Sequence, residues 1–460
     1  MQEVLRASAV EQARLVRTGA VSSQELTRLY LERIDRLNSK LSAFVDVFSH
    51  RAMLDARLKD AERILGRSTL PPFHGVPIGI KDLNLVRFST AHFGSKAFRL
   101  WSPVDDATVS QLRKGGFVVL GKLAASEMGA MPVTEPDIHP PTRNPWNLNH
   151  TSGGSSGGSS AAVAASLVPL AHGSYGAGSV RIPASFCHLY GLKPSRGRLR
   201  NHFWMDDRHL IYTCGPLTRT VEDAAAALDV MAGVTAGKPH RLPLPPRPFQ
   251  YMSQVDPRPL RIHLTVRSPV CETHPEIAEA TRRVAQALAS AGHQVEEVDP
   301  PAGSVDEFLP LFQKMVSQAP GVNWAQTQPV TQWLALAGKK LSREEVRERE
   351  AVLLERLDAA FAGADAWVTP TVAVLPPVVG AWKALPAAEQ FRAAANLGAF
   401  TALFNLLGYP AATVPAGLSA EGLPIGVQIA ARTGEEVRVL QLSRQVEKLL
   451  PWAHRAAQVD

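Results

Sequence analysis

The stretch Thr151–Phe186 reads TSGGSSGGSSAAVAASLVPLAHGSYGAGSVRIPASF, and its second glycine-rich turn sets Ser179 behind Gly176, Ala177 and Gly178. Residues with little or no side chain let their N–H groups converge beside the Ser179 hydroxyl. A serine nucleophile needs that arrangement: donors where an oxyanion forms, and a base to take the hydroxyl proton. His150, His172 and His188 lie nearby in sequence but in no local motif. Lys81 is the stronger base candidate, because it follows the apolar run Val76–Ile80 in FHGVPIGIKDL. Desolvation at a strand end lowers the pKa of an amine, ordinarily about 10.4, and lets it act in the neutral form. The adjacent Asp82 would oppose that shift if it faced inward, so its carboxylate is expected to point away, toward backbone donors.

Two other readings of the glycine-rich stretch carry less. A flexible Gly/Ser tether should be bordered by polar sequence, whereas GGSSGGS runs into AAVAASLV, the small and apolar residues of a buried helix. A phosphate cradle at a helix start should carry G-x-x-x-x-G-K-[ST], or G-x-G-x-x-G after a strand, and neither is present.

Elements able to position these residues follow from the hydrophobic pattern. Ser22–Glu25 forms an S-x-x-E capping box ahead of Leu26, Leu29, Tyr30, Ile34 and Leu37 at helical spacing. Val76–Ile80 and Phe117–Leu120 read as buried strands, and Pro169–His172 as extended. Thr220 opens a helix, and RIHLTV, HPEIAEATRRVAQALASAGH and QVEEVDPP read as one βαβ unit. Residues 300–360 look mainly helical, with further strands in AWVTPTVAVLPP and LPIGVQIAA. The proline-dense segment 237–260 reads as a surface connection. Strands alternating with helices imply an α/β sheet.

Composition bounds the rest. The chain has 460 residues, 45% of them apolar and 20% charged, enough for a large core. No stretch reaches the length of a membrane span or reads as a secretory leader, so a cytoplasmic location is expected. The three cysteines, Cys187, Cys214 and Cys271, show no zinc spacing, and no metal or cofactor is expected. A net charge of +7 arises from scattered Arg and Lys rather than a run, which argues against a nucleic-acid partner.

Six motifs, GVPIGIKD, GGSSGGS, GAGSVRIPASF, YGLKPSRGRL, CGPLTRTVEDAA and GYPAATVPAG, together resemble the amidase signature family, collinearly and over nearly the whole chain. The resemblance implies a single α/β domain (1–460) with a mixed sheet surrounded by helices, and amide hydrolysis through a Ser-cisSer-Lys triad and an acyl-enzyme. The family places its bridging and nucleophilic serines 24 positions apart, the separation of Ser155 and Ser179. On that basis Ser179 is the nucleophile, Ser155 the bridge behind a cis Gly154–Ser155 peptide, and Lys81 the base. The N–H groups of Gly176, Ala177, Gly178 and Ser179 would form the oxyanion hole.

The chain departs from the family where D-T-G-G-S is usual, reading Tyr175, Gly176, Ala177, Gly178 and Ser179. With the acid gone, Arg181 is left to be structural, paired to another acid, or available to an acidic substrate. Met128, Trp204 and Arg181 are the substrate-pocket candidates, with Phe93, Met131, Phe203, Trp324 and the stretch Phe312–Trp333 as further apolar ones. The expected partner is a small-molecule amide, without nucleic acid or membrane, and a homodimer is compatible with the sequence without being specified by it. Two alternatives remain. A glutamine amidotransferase subunit should carry a tyrosine-rich segment where LALAGKKLSREEVRERE stands, and a non-catalytic binding protein would not need Lys81, Ser155 and Ser179 together.

Overall fold

A computed structural model describes residues 2–66, 69–200, 211–233 and 241–459. Among them, eleven short strands pair into one mixed sheet. In chain order these are β1 (Phe44–Val47), β2 (Pro77–Lys81), β3 (Val118–Leu123), β4 (Ala171–Tyr175), β5 (Tyr190–Lys193), β6 (Thr213–Thr218), β7 (Arg261–Leu264), β8 (Gln294–Glu297), β9 (Ala366–Pro370), β10 (Ala411–Leu418) and β11 (Pro424–Ala431). Side by side the order is β1-β3-β2-β4-β6-β5-β10-β11-β9-β7-β8. β2 runs parallel to β3 and β4, and β7 runs parallel to β8 and β9. The other neighbours are antiparallel.

Every residue of β2, β3 and β11 is buried. Strands covered on both faces read as continuous rather than alternating apolar runs, and helices supply the cover. Ser23–Leu41 begins with the expected capping box, in which Ser22 Oγ takes the Glu25 N–H at 3.1 Å and Glu25 takes the Ser22 N–H at 2.8 Å. It shares an apolar cluster with Ser49–Ile64 and the wholly buried helix Gly157–Ala164. Val221–Met231 and Glu436–Leu449 contribute to a second cluster along the sheet. A third gathers Val305–Ser317, Pro329–Lys339, Arg343–Ala360, Ala387–Ala395 and Thr401–Leu406. The βαβ unit forms as expected, β7 and β8 flanking the helix Pro275–Ser290.

Of the proline-dense segment, residues 241–260 are described, and they are mostly exposed or part-exposed around one helical turn. Phe249–Met252 makes one helical turn and Phe249 is fully buried. Proline is costly in helix interiors but tolerated at a helix start, and Pro248 stands just before this turn. The Asp229 carboxylate takes the N–H groups of Phe249 at 2.7 Å and Gln250 at 2.9 Å. Among the described residues no helix is long and apolar enough to cross a membrane.

Candidate active site

β2 and β4 are parallel neighbours, so their C-terminal ends lie at one edge of the sheet. β2 ends on Lys81, and β4 ends just before the Gly176–Ser179 turn. Lys81 is fully buried, and its Nζ donates to Ser155 Oγ at 2.7 Å and to the Ser174 carbonyl at 2.6 Å. Burial pushes the Lys81 pKa well below the usual lysine range, against a smaller upward pull from Cys214. The Cys214 thiol is itself pushed up to about 12, by burial first and Asp106 second, so near neutrality it carries no charge to hold a proton on the amine. Asp82 is engaged elsewhere: its carboxylate pairs with Lys122 at 3.0 Å and takes the His92 N–H at 3.2 Å.

The GGSSGGS segment is packed rather than loose. A Cβ at Gly154 would lie 2.6 Å from Val133 N, one at Gly157 2.4 Å from Thr134 Oγ1, and one at Gly158 2.4 Å from Ala124 N. Only glycine permits these approaches. The Gly154–Ser155 peptide is cis. The Ser155 carbonyl takes the Ser126 N–H at 3.2 Å, and Thr134 Oγ1 donates to the Gly153 carbonyl at 2.9 Å. The two serine segments are also joined: Ser156 N–H donates to the Ser179 carbonyl at 3.2 Å, and Ser156 Oγ to the Ser174 carbonyl at 3.1 Å. The Ser174 carbonyl thus serves both Lys81 and Ser156.

Ser179 is 6% exposed. Among the described residues no protein acceptor takes the N–H groups of Gly176, Ala177, Gly178 or Ser179. Gly178 has φ +129°, and a Cβ there would lie 2.2 Å from Thr401 Oγ1, which donates to the Ala177 carbonyl at 2.8 Å. Arg181 is fully buried. Its guanidinium is held by the side-chain oxygens of Gln428 and Asn405 and by the Thr401 carbonyl at 3.0 Å. These three acceptors are neutral, and Arg181 does not line the cleft beside Ser179. Those partners lie on β11 and the helix Thr401–Leu406, too far along the chain for a local pattern to identify them. His188 packs edge-on against Trp146 at 5.1 Å, and burial pushes its pKa down to about 3.

Ser179 opens onto a cleft of about 110 Å³. Its apolar lining includes Met131, Phe312, Leu357, Phe391 and Leu403. Met128 is absent from that lining: it sits at φ +51° inside the turn Glu127–Gly129, and the neighbouring Gly129 to Pro132 reach the cleft instead. Phe93 pairs with Phe98, and Trp324 faces Lys339, both outside the lining. Phe203 and Trp204 lie outside the described residues.

A family model described as Amidase matches residues 25–440. The chain belongs to the amidase signature family. It is similar to 6-aminohexanoate-cyclic-dimer hydrolase of Pseudomonas sp. (strain NK87), 34% identical across 98% of this chain and 96% of that one. A solved structure of a 6-aminohexanoate cyclic dimer hydrolase complexed with substrate superposes with a TM-score of 0.89 at 31% identity, covering 99% of both chains. The native peptide amidase from Stenotrophomonas maltophilia superposes with a TM-score of 0.82 at 26% identity, again over 99% of both chains. This chain, like its relatives, is an amide hydrolase.

Sequence reasoning found Met131 and Phe312 of this amidase's cleft but missed Phe308, Leu353, Leu357, Phe391 and Leu403. Phe308 and Phe312, and Leu353 and Leu357, stand four apart on one helix face. That spacing marks buried helix faces in general and gives no sign of which one borders a nucleophile.

Proposed function

We propose that this amidase cleaves a carboxylic amide with Ser179 as nucleophile, Ser155 as proton bridge and Lys81 as base. The observation that carries the reading is the 2.7 Å contact between Lys81 Nζ and Ser155 Oγ, made by an amine whose pKa burial pushes well below the usual lysine range. A neutral amine has one lone pair. With an N–H on the Ser174 carbonyl, it can accept the Ser155 proton while Ser155 takes the proton of Ser179. The Ser179 oxygen then adds to the amide carbon, and the N–H groups of Gly176, Ala177, Gly178 and Ser179 receive the oxyanion, a role suited to donors that meet no protein acceptor among the described residues. The proton returns through Ser155 to the leaving nitrogen as the C–N bond breaks. Water adds to the acyl-enzyme by the reverse relay and frees Ser179. The three cysteines are free thiols, which fits a reducing compartment, the cytoplasm, as the place of action.

A fluorophosphonate probe tests this. Intact mass and peptide mapping should find the adduct on Ser179, formed much more slowly in Lys81→Ala and Ser155→Ala. Folded protein that forms no adduct would move the binding-protein alternative to first place.

A further inference from the structure

We infer that the cleft beside Ser179 is an acyl pocket, selective for an uncharged apolar acyl group of roughly hexanoyl or benzoyl size; the inference rests on the acyl-enzyme reading above. Among the described lining residues the only charged side chain is Glu307. Its carboxylate is already engaged, with Arg356 at 2.8 Å and the Ser304 N–H at 2.9 Å. Arg181, the cation the sequence offered for an acidic substrate, is buried against Gln428, Asn405 and Thr401. A charged substrate group entering the cleft would therefore lose its water and find no uncommitted charged partner among the described lining residues, which is unfavourable. The volume of about 110 Å³ is near that of an apolar cavity of about 150 Å³ known to admit benzene.

The covalent sequence decides which side of the amide the cleft receives. When the Ser179 oxygen bonds to the carbonyl carbon and the C–N bond breaks, the leaving nitrogen takes the relayed proton and departs as an amine. Near neutrality that amine binds another proton from water, and an ammonium in an apolar cleft is disfavoured for the same reason as any unpaired charge. The acyl group, by contrast, stays bonded to Ser179 until water adds and the Ser179 O–C bond breaks. An apolar cleft adjoining Ser179, Ala177 and Ile182 suits the group that stays.

The test is kcat/KM for acetamide, hexanamide, benzamide, 6-aminohexanamide and N-hexylacetamide on the full chain, with fluorophosphonate labelling of Ser179 measured in parallel. Burial of four added methylenes should raise kcat/KM about 200-fold from acetamide to hexanamide. The terminal ammonium of 6-aminohexanamide should erase most of that gain, and N-hexylacetamide should gain little over acetamide. Ala402→Phe, which fills part of the cleft, should lower hexanamide turnover at least about tenfold more than acetamide turnover. Equal rates for hexanamide and 6-aminohexanamide would overturn the apolar selectivity, and preference for N-hexylacetamide would overturn the acyl assignment. If Ser179 labels but no amide of the series is turned over, or chain length leaves the rates level, the pocket inference alone fails. Absence of labelling on folded protein instead sinks the triad.

Discussion

Replacing Gly178 by alanine should disable the enzyme while leaving every proposed triad side chain in place. The backbone at φ +129° is one that residues with a Cβ rarely adopt, and forcing it costs about 1–3 kcal/mol. The new Cβ would also stand 2.2 Å from Thr401 Oγ1 and 2.7 Å from Thr401 Cβ, where ordinary contact begins at 3.4 Å. Thr401 must then retreat by about 1 Å, and overpacking of this kind costs about 1–3 kcal/mol more. Thr401 binds the Ala177 carbonyl through Oγ1 and Arg181 through its own carbonyl, so its movement shifts the loop that carries the oxyanion donors. Losing one such donor lowers kcat by about 10²–10³. The assay combines thermal melting, fluorophosphonate labelling of Ser179 and turnover of whichever amide the wild type cleaves best. The expected result is a destabilisation of about 2–6 kcal/mol with labelling and turnover down at least about 100-fold. Gly178→Ala/Thr401→Gly should recover part of the stability by removing the clash, but not the cost of the backbone angle. A Gly178→Ala enzyme that melts with the wild type and labels within about threefold of it would refute the argument.

Two buried basic side chains, Lys81 and Arg181, can be tested in the same way. Because burial lowers the folded-state pKa of Lys81, the unfolded chain binds more protons than the folded one between the lowered value and the ordinary lysine value. Stability attributable to this residue therefore rises with pH across that window, and Lys81→Met should remove the rise while abolishing turnover; melting temperatures of both proteins across pH check it. In the wild type, turnover should climb with pH on a limb set by a group titrating below the ordinary lysine range, and a pH–rate profile that climbs only in that ordinary range would contradict it. Arg181→Met should destabilise by about 3–5 kcal/mol in urea denaturation, because it strips the partner from buried acceptors on Gln428, Asn405 and Thr401. It should not change the preference between acidic and neutral amides, and a selective loss on acidic amides would show that Arg181 reaches substrate.

Legibility in the sequence followed how local the physics was. Ser22 and Glu25 cap a helix across three residues, and the βαβ unit around Pro275–Ser290 declares itself by periodicity, so both could be read directly. The strand expected at Val76–Ile80 lies at Pro77–Lys81, a one-residue displacement. The strand expected at Phe117–Leu120 lies at Val118–Leu123, running on through Gly121 and Lys122, which interrupt its apolar run. Lys122 tolerates burial because Asp82 pairs with it and the Asn84 carbonyl accepts from it at 2.6 Å, a tertiary fact. The proposed catalytic residues were legible through motif and spacing. Most of the cleft was not, because much of its wall comes from helices scattered between residues 305 and 406 whose patterns match any packed core. Glu127 also escaped notice: its buried carboxylate accepts from Ser95 Oγ and from the Gln328 N–H, each at 2.7 Å, and so ties the segment before Gly129 to two distant ones.

The position of β10 and β11 has a consequence for how the protein is made. These two strands are the last of the sheet in chain order, yet they fill its interior between β5 and β9. A ribosome that has delivered Lys81, Ser155 and Ser179 has therefore not delivered the strand bearing Gln428, on which Arg181 and through it the nucleophile segment are anchored. Until residues through Ala431 emerge, β5 and β9 each present an unpaired edge, the kind of surface that recruits foreign strands. The growing chain is most exposed to misassembly after its chemistry has been synthesised and before its sheet can close, and that is the interval in which a chaperone has most to protect.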